Sequence, residues 1–116
     1  MATDYSGVQL PANGFICRRI ALNATAAQVE KVSLPRWARQ VTVTLYESND
    51  STTEDGKIAD TGTDGGAIGN DWYPIRAGAD LTWPIRMSDP STAADIYLVA
   101  DSNSAYAHVI IQAEKD

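Results

Sequence analysis

Apolar and polar side chains alternate along residues 40–46, with a period of two. Such a period is typical of a strand that buries one face, because successive side chains of a strand point to opposite sides. Pro35 lacks a backbone N–H, so we expect the strand to begin after it, with Trp37 at its entrance. The pattern therefore predicts a central strand, and its buried face would carry Val41, Val43 and Leu45.

Shorter strand-like patterns recur along the chain at intervals of about ten residues, with turn-forming residues between them. The pattern over residues 27–33 fits either a strand with a slip in its alternation or a short helical turn. No segment carries a convincing amphipathic helix. We therefore predict an all-β fold of seven to eight strands, arranged as a two-sheet antiparallel sandwich of jelly-roll or immunoglobulin-like type. The other strands are expected within residues 15–22, 57–59, 72–76, 83–86, 95–100 and 105–113.

Two prolines, Pro74 and Pro84, interrupt strand-like patterns. A proline removes a hydrogen bond from the ladder of a central strand, so both segments are expected at sheet edges, strand starts or bends. The last two strands, residues 95–100 and 105–113, are separated only by four polar residues. This short connection predicts that they form an antiparallel hairpin.

The length of 116 residues is usual for one domain. We divide it into an N-terminal arm, residues 1–14, and a β-sandwich domain, residues 15–116. A single cysteine excludes an internal disulfide and suits folding in a reducing cytosol. The formal net charge of −6 argues against nucleic-acid binding, and no apolar run predicts a signal peptide or a membrane span.

Candidate chemistry is sparse, because the chain has one histidine, His108, and one cysteine, Cys17. A nucleophile would need His108 as its base, yet its apolar neighbours are typical of a packed strand. Cys17 is expected as a small buried side chain, since no catalytic signature surrounds it. One cysteine and one histidine cannot form a closed zinc site. The sequence therefore predicts no catalytic, cofactor-binding or metal-binding residue, and no enzyme activity.

The glycine-rich residues 60–71 partly match a calcium-binding loop. Asp60, Asp64, Gly65 and Asp71 would occupy its positions 1, 5, 6 and 12. Gly62 stands at a ligand position, however, and aspartate replaces the bidentate glutamate. The preferred interpretation is a turn-dominated loop without a metal.

Four aromatic residues are candidates for an interface: Trp37, Trp72, Tyr73 and Trp83. Amphipathic aromatic side chains are enriched where protein surfaces meet. The alternatives are that the tryptophans fill the core, or that they form a stacking platform for sugars in a glycan-binding module. A platform would require the tryptophans to be exposed in one plane.

The order of several segments resembles that of small β-sandwich virion proteins of tailed bacteriophages, of the capsid decoration (cement) or head-fibre type. The resemblance covers about residues 15–113 and is carried by residues 32–43, by 66–69 leading to 73–79, by 96–100 and by the last strand, 105–113. It implies a non-enzymatic structural protein, made in the bacterial cytoplasm and assembled as an oligomer on the major capsid protein at the virion surface. We expect a trimer, because closed symmetry is the usual solution for a chain that associates with itself and head lattices offer three-fold positions. A fibre or spike subunit for host attachment would fit the same resemblance. No functional residue carries over, because these proteins share no catalytic motif.

If residues 60–71 form only a loop, calcium should not change the melting temperature. A ligand that binds only the native state must raise that temperature by mass action. Thermal unfolding with excess calcium and with a chelator checks this, and magnesium serves as the control. A rise specific to calcium would contradict the expectation.

Overall fold

The computed structural model describes residues 3–22, 28–46, 55–85, 94–100 and 105–113. Within these ranges the regular structure consists of nine strands and no helix, which confirms the predicted all-β fold. No helix in the described residues is long and apolar enough to cross a membrane. The strands are β1 (Thr3–Asp4), β2 (Phe15–Ala21), β3 (Glu30–Ser33), β4 (Gln40–Tyr46), β5 (Gly56–Ala59), β6 (Trp72–Ile75), β7 (Leu81–Pro84), β8 (Asp95–Ala100) and β9 (Tyr106–Gln112).

The strands form two sheets, one in the order β1-β3-β8-β5-β6 and the other in the order β2-β9-β4-β7. Four antiparallel pairs are nested along the chain: β2 with β9, β3 with β8, β4 with β7, and β5 with β6. The pairs β4–β9 and β5–β8 join these ladders side by side. Eight strands nested and wrapped in this way form a jelly roll, and β1 adds a parallel strand at the edge beside β3.

The predicted hairpin between the last two strands is wrong, because β8 and β9 belong to different sheets. Each is already hydrogen-bonded on both sides: β8 lies between β3 and β5, and β9 lies between β2 and β4. Sheets of a sandwich lie about 10 Å apart, a gap that four residues of about 3.3 Å each can span. A short polar connection is therefore compatible with a crossing between sheets as well as with a hairpin.

The core lies between the two sheets and follows the predicted alternation. Val41, Val43 and Leu45 of β4 are buried, which confirms the expected inner face. The paired strand β9 contributes Ala107, Val109 and Ile111 to the same layer.

The facing sheet approaches this layer closely at Gly56 of β5. A Cβ atom added there would collide with the Leu45 side chain and with the carbonyl oxygen of Val99. The close approach explains why a glycine occupies an inward position in the strand.

The described part of the N-terminal segment lies against one side of the sandwich. β1 pairs with β3, and the Tyr5 amide donates a hydrogen bond to the Ser33 carbonyl (2.8 Å). Tyr5 and Val8 pack against the core. This segment links the edge of one sheet to β2, the edge of the other, and so covers the gap between the sheets on that side.

On the opposite side, the two sheets end in the short edge strands β6 and β7. Pro74 lies in β6 and Pro84 lies in β7, which confirms that the proline-containing segments are edge strands. The amide of Ile85 donates to the Arg39 carbonyl (2.7 Å), so the backbone of Ile85 faces β4. Because backbone direction alternates along a strand, Pro84 faces away from β4 and presents no N–H to a further strand.

The edge strand β2 contains no proline but carries a charge on its inner face. Arg18 stands between the buried residues Ile16 and Ile20, yet it is exposed. Its guanidinium donates to the Cys17 carbonyl (2.8 Å) and lies over the ring of Tyr5 (5.9 Å). An inward-pointing charge on an edge strand opposes pairing with another chain.

Glu30 is a buried carboxylate at the start of β3, with 5% of its surface exposed. It accepts a hydrogen bond from the Thr3 hydroxyl. Burial raises the pKa of Glu30 above its usual value, the Thr3 hydrogen bond opposes the rise, and the nearby Asp64 carboxylate adds to it. By contrast, the Lys31 amide donates to Asp64 (3.0 Å), and this hydrogen bond lowers the pKa of Asp64.

Substitution of these two carboxylates should change the pH dependence of stability in opposite directions. The raised pKa of Glu30 gives stability that is complete below its unfolded pKa and lost as pH rises through the folded pKa, so Glu30→Gln should stabilise the protein at neutral pH. The lowered pKa of Asp64 gives stability that is present above its unfolded pKa and lost as pH falls, so Asp64→Asn should destabilise it. Urea unfolding at pH 4 and pH 7 checks both signs. A loss of stability in Glu30→Gln at pH 7 would contradict the assignment.

Candidate functional site

A groove of about 840 Å³ opens between the two sheets on the side of β6 and β7. This volume lies within the range of about 300–1,000 Å³ found for ligand pockets. Ile58 and Ile96, from the inner face of the five-stranded sheet, line it, and so does Ile85, which follows β7. The groove is therefore an exposed extension of the core.

Tyr73 lines the groove from the five-stranded sheet, and Trp83 lines it from the four-stranded sheet. Tyr73 lies opposite Ile58, on the inner face of the five-stranded sheet. Trp83 lies opposite the buried Val41, on the inner face of the other sheet. Tyr73 is 62% exposed, whereas Trp83 is half-buried and packs against the core.

Trp72 also lines the groove but points to the other face of β6. It lies opposite Ala59, and the Lys57 ammonium sits over its ring (4.5 Å). Trp72 is 44% exposed. Trp72 and Tyr73 therefore flank the edge strand from opposite sides and do not share a plane.

Trp37 lies apart from the other three candidates, in the turn before β4. Its indole Nε1–H donates to the Val8 carbonyl (2.8 Å), and its half-buried ring packs against the core. Trp37 thus holds the N-terminal segment against the sandwich. The structure brings three of the four candidate interface residues to the groove and places the fourth beside that segment.

The charged residues that line the groove in the described part of the chain are three aspartates: Asp60, Asp71 and Asp95. Asp95 accepts a hydrogen bond from Ser33 (2.8 Å) and lies 3.7 Å from the Lys31 ammonium. The Asp95 carboxylate is therefore paired on the outer face of its sheet. Asp60 and Asp71 remain as the negative charges of the apolar groove, and they disfavour an anionic ligand.

Residues 60–71 form a turn that docks on the start of β3. Gly62 and Ile68 form a bridge, and the amide of Gly65 donates to the Val29 carbonyl (2.7 Å). The Asp64 carboxylate accepts the Lys31 amide. Among the described residues, no group of three potential ligands from His, Cys, Asp and Glu is placed to hold a metal ion.

The outer face of the four-stranded sheet carries both Cys17 and His108. The expectation that Cys17 is buried is wrong, because it lies on the solvent face of the edge strand β2. His108 lies on the adjacent strand β9, opposite Arg19, and its ring is 4.2 Å from that of Tyr46. Its Nε2 atom is buried without a hydrogen-bond partner in the described structure. Cys17 and His108 are far apart in the sequence, so the sequence did not predict that they share this face. No hydrogen bond through His108 Nε2 links the two side chains.

Comparisons with protein-family models, with curated proteins and with solved structures each found no match to this chain. The candidate site therefore rests on the geometry of the groove alone.

Replacement of Trp37 should cost more stability than replacement of Trp72. Trp37→Ala removes packing against the core and the hydrogen bond to Val8, and we expect a loss of about 3 kcal/mol in the free energy of unfolding. Trp72→Ala removes an exposed ring and its contact with Lys57, so about 1 kcal/mol or less should be lost. Denaturant unfolding measures both values. Equal losses would contradict the different environments of the two rings.

Proposed function

We propose that the protein is a non-enzymatic structural subunit of a phage virion that decorates or stabilises the capsid as an oligomer. Its partners are then other copies of itself, most simply in a trimer, and the major capsid protein. The place of action is the capsid surface, after synthesis in the bacterial cytoplasm.

The observation that carries this proposal is the exposed aromatic rim of the groove, at Trp72 and Tyr73. Large amphipathic rings at the surface of a small acidic protein are typical of protein–protein contacts. Pro74 and Pro84 disfavour backbone pairing at the neighbouring edges. Association through side chains, without uncontrolled strand addition, suits a subunit that must bind a defined place on a lattice.

The jelly-roll architecture is compatible with this role, because the fold is used in viral capsid proteins as well as in lectins. A fold alone does not establish a function, however. Sugar binding is the principal competing function. The aromatic side chains support it less well, since Trp37 lies elsewhere and Trp72 and Tyr73 point to opposite faces of β6.

Purified protein should bind phage heads that lack it, saturably and with fixed stoichiometry. Light scattering should report a mass of about three chains, because oligomers usually have closed symmetry and the proposed closed oligomer is a trimer. Tyr73→Ala should weaken association of the subunits or their binding to heads, because it removes the most exposed large side chain of the groove. Failure of the wild type to bind heads at any concentration would overturn the decoration role.

A further inference from the structure

We propose that the groove binds a second copy of this chain, and that the bound surface is the opposite side of the sandwich, around β2 and the segment that precedes it. The contact is head-to-tail: the groove of one subunit receives the β2 side of the next. This inference rests on the proposed function, for which it names the self-association surfaces.

The groove has the properties of a receiving surface. Its floor is apolar, its rim carries the exposed Tyr73, and Asp60 and Asp71 give it negative charge. Proline in each adjoining edge strand disfavours extension of the sheets there. An occupant must therefore be held by side chains, and it should present apolar groups together with positive charge.

The β2 side of the same molecule presents both features. Leu10 is 51% exposed and Phe15 is 40% exposed, and they belong to the segment before β2 and to its first position. β2 also carries two positive charges, Arg18 and Arg19. Exposed apolar side chains and arginines on this side thus complement the apolar, acidic groove on the other side.

The position of the two surfaces determines the kind of assembly. The groove lies at β6 and β7, whereas β2 and β1 are the edges at the other end of each sheet. Two different surfaces in contact form a heterologous interface, which generates rings when its rotation closes. Three subunits make the smallest such ring, since two identical subunits related by a two-fold axis contact each other through the same surface.

Complementation between two defective variants tests the head-to-tail contact directly. Tyr73→Ala removes the exposed groove residue, and the double variant Leu10→Ser/Phe15→Ser removes the apolar groups of the opposite side. All three residues are well exposed, so the variants should fold, and circular dichroism verifies this. Complementation is its own control, because each variant must retain the surface that the other one lacks.

Analytical ultracentrifugation of the full chain should show an oligomer for the wild type. Each defective variant alone should associate at least about tenfold more weakly. An equimolar mixture of the two should form a species of two chains, because one intact groove meets one intact β2 side. A monomeric wild type, or a mixture that fails to complement, would overturn the proposal.

The outcomes separate this inference from the proposed function. If the wild type binds heads but the mixture does not complement, the interface assignment falls and the decoration role stands. If the mixture complements but the wild type does not bind heads, the decoration role falls and the interface assignment stands. Quenching of tryptophan fluorescence by maltotriose or cellotriose in a monomeric wild type, abolished in Tyr73→Ala, would assign the groove to a saccharide and overturn the head-to-tail contact.

Discussion

Antiparallel pairing of β9 with both of its neighbours is the constraint on which the sandwich depends. β9 pairs with β2 and with β4 over seven positions each, and its inward residues are buried. Since β9 ends the nested order and β2 begins it, this pairing brings together residues far apart in the chain. The pairs that come between β2 and β9 in the chain, such as β5 with β6, are nested inside this outermost pair. Closing the long connections costs conformational entropy, and the burial of apolar side chains in one continuous core offsets that cost.

The alternation along β4 and the prolines of β6 and β7 were sufficient to predict those elements, because local sterics and burial act within a few residues. The pairing of β8 and β9 was not predictable in the same way. A short polar connection permits a turn within a sheet or a crossing between sheets, and the choice depends on the partners that flank each strand. β1 was missed because two residues, Thr3 and Asp4, carry no periodicity.

For the candidate site, too, the sequence predicted the residue types but not which of them come together. Aromatic character identified Trp72, Tyr73 and Trp83 as candidates for an interface. Their convergence depends on β6 and β7 ending their sheets on the same side, which only the strand order reveals. Trp37 has the same residue type but a different role, because Val8 lies within reach of its indole N–H.

The two sides of the sandwich differ because the chain enters it on one side only. The segment before β2 packs Tyr5 and Val8 against the core there. On the side of β6 and β7, the groove reaches core residues such as Ile58 and Ile96, and Tyr73 stays at the surface. Proline in both adjoining strands disfavours the simplest way to cover that side, which is another strand. In the described part of the chain, the groove thus stays open at the side where both sheets end in proline-containing strands, whereas Tyr5 and Val8 close the opposite side.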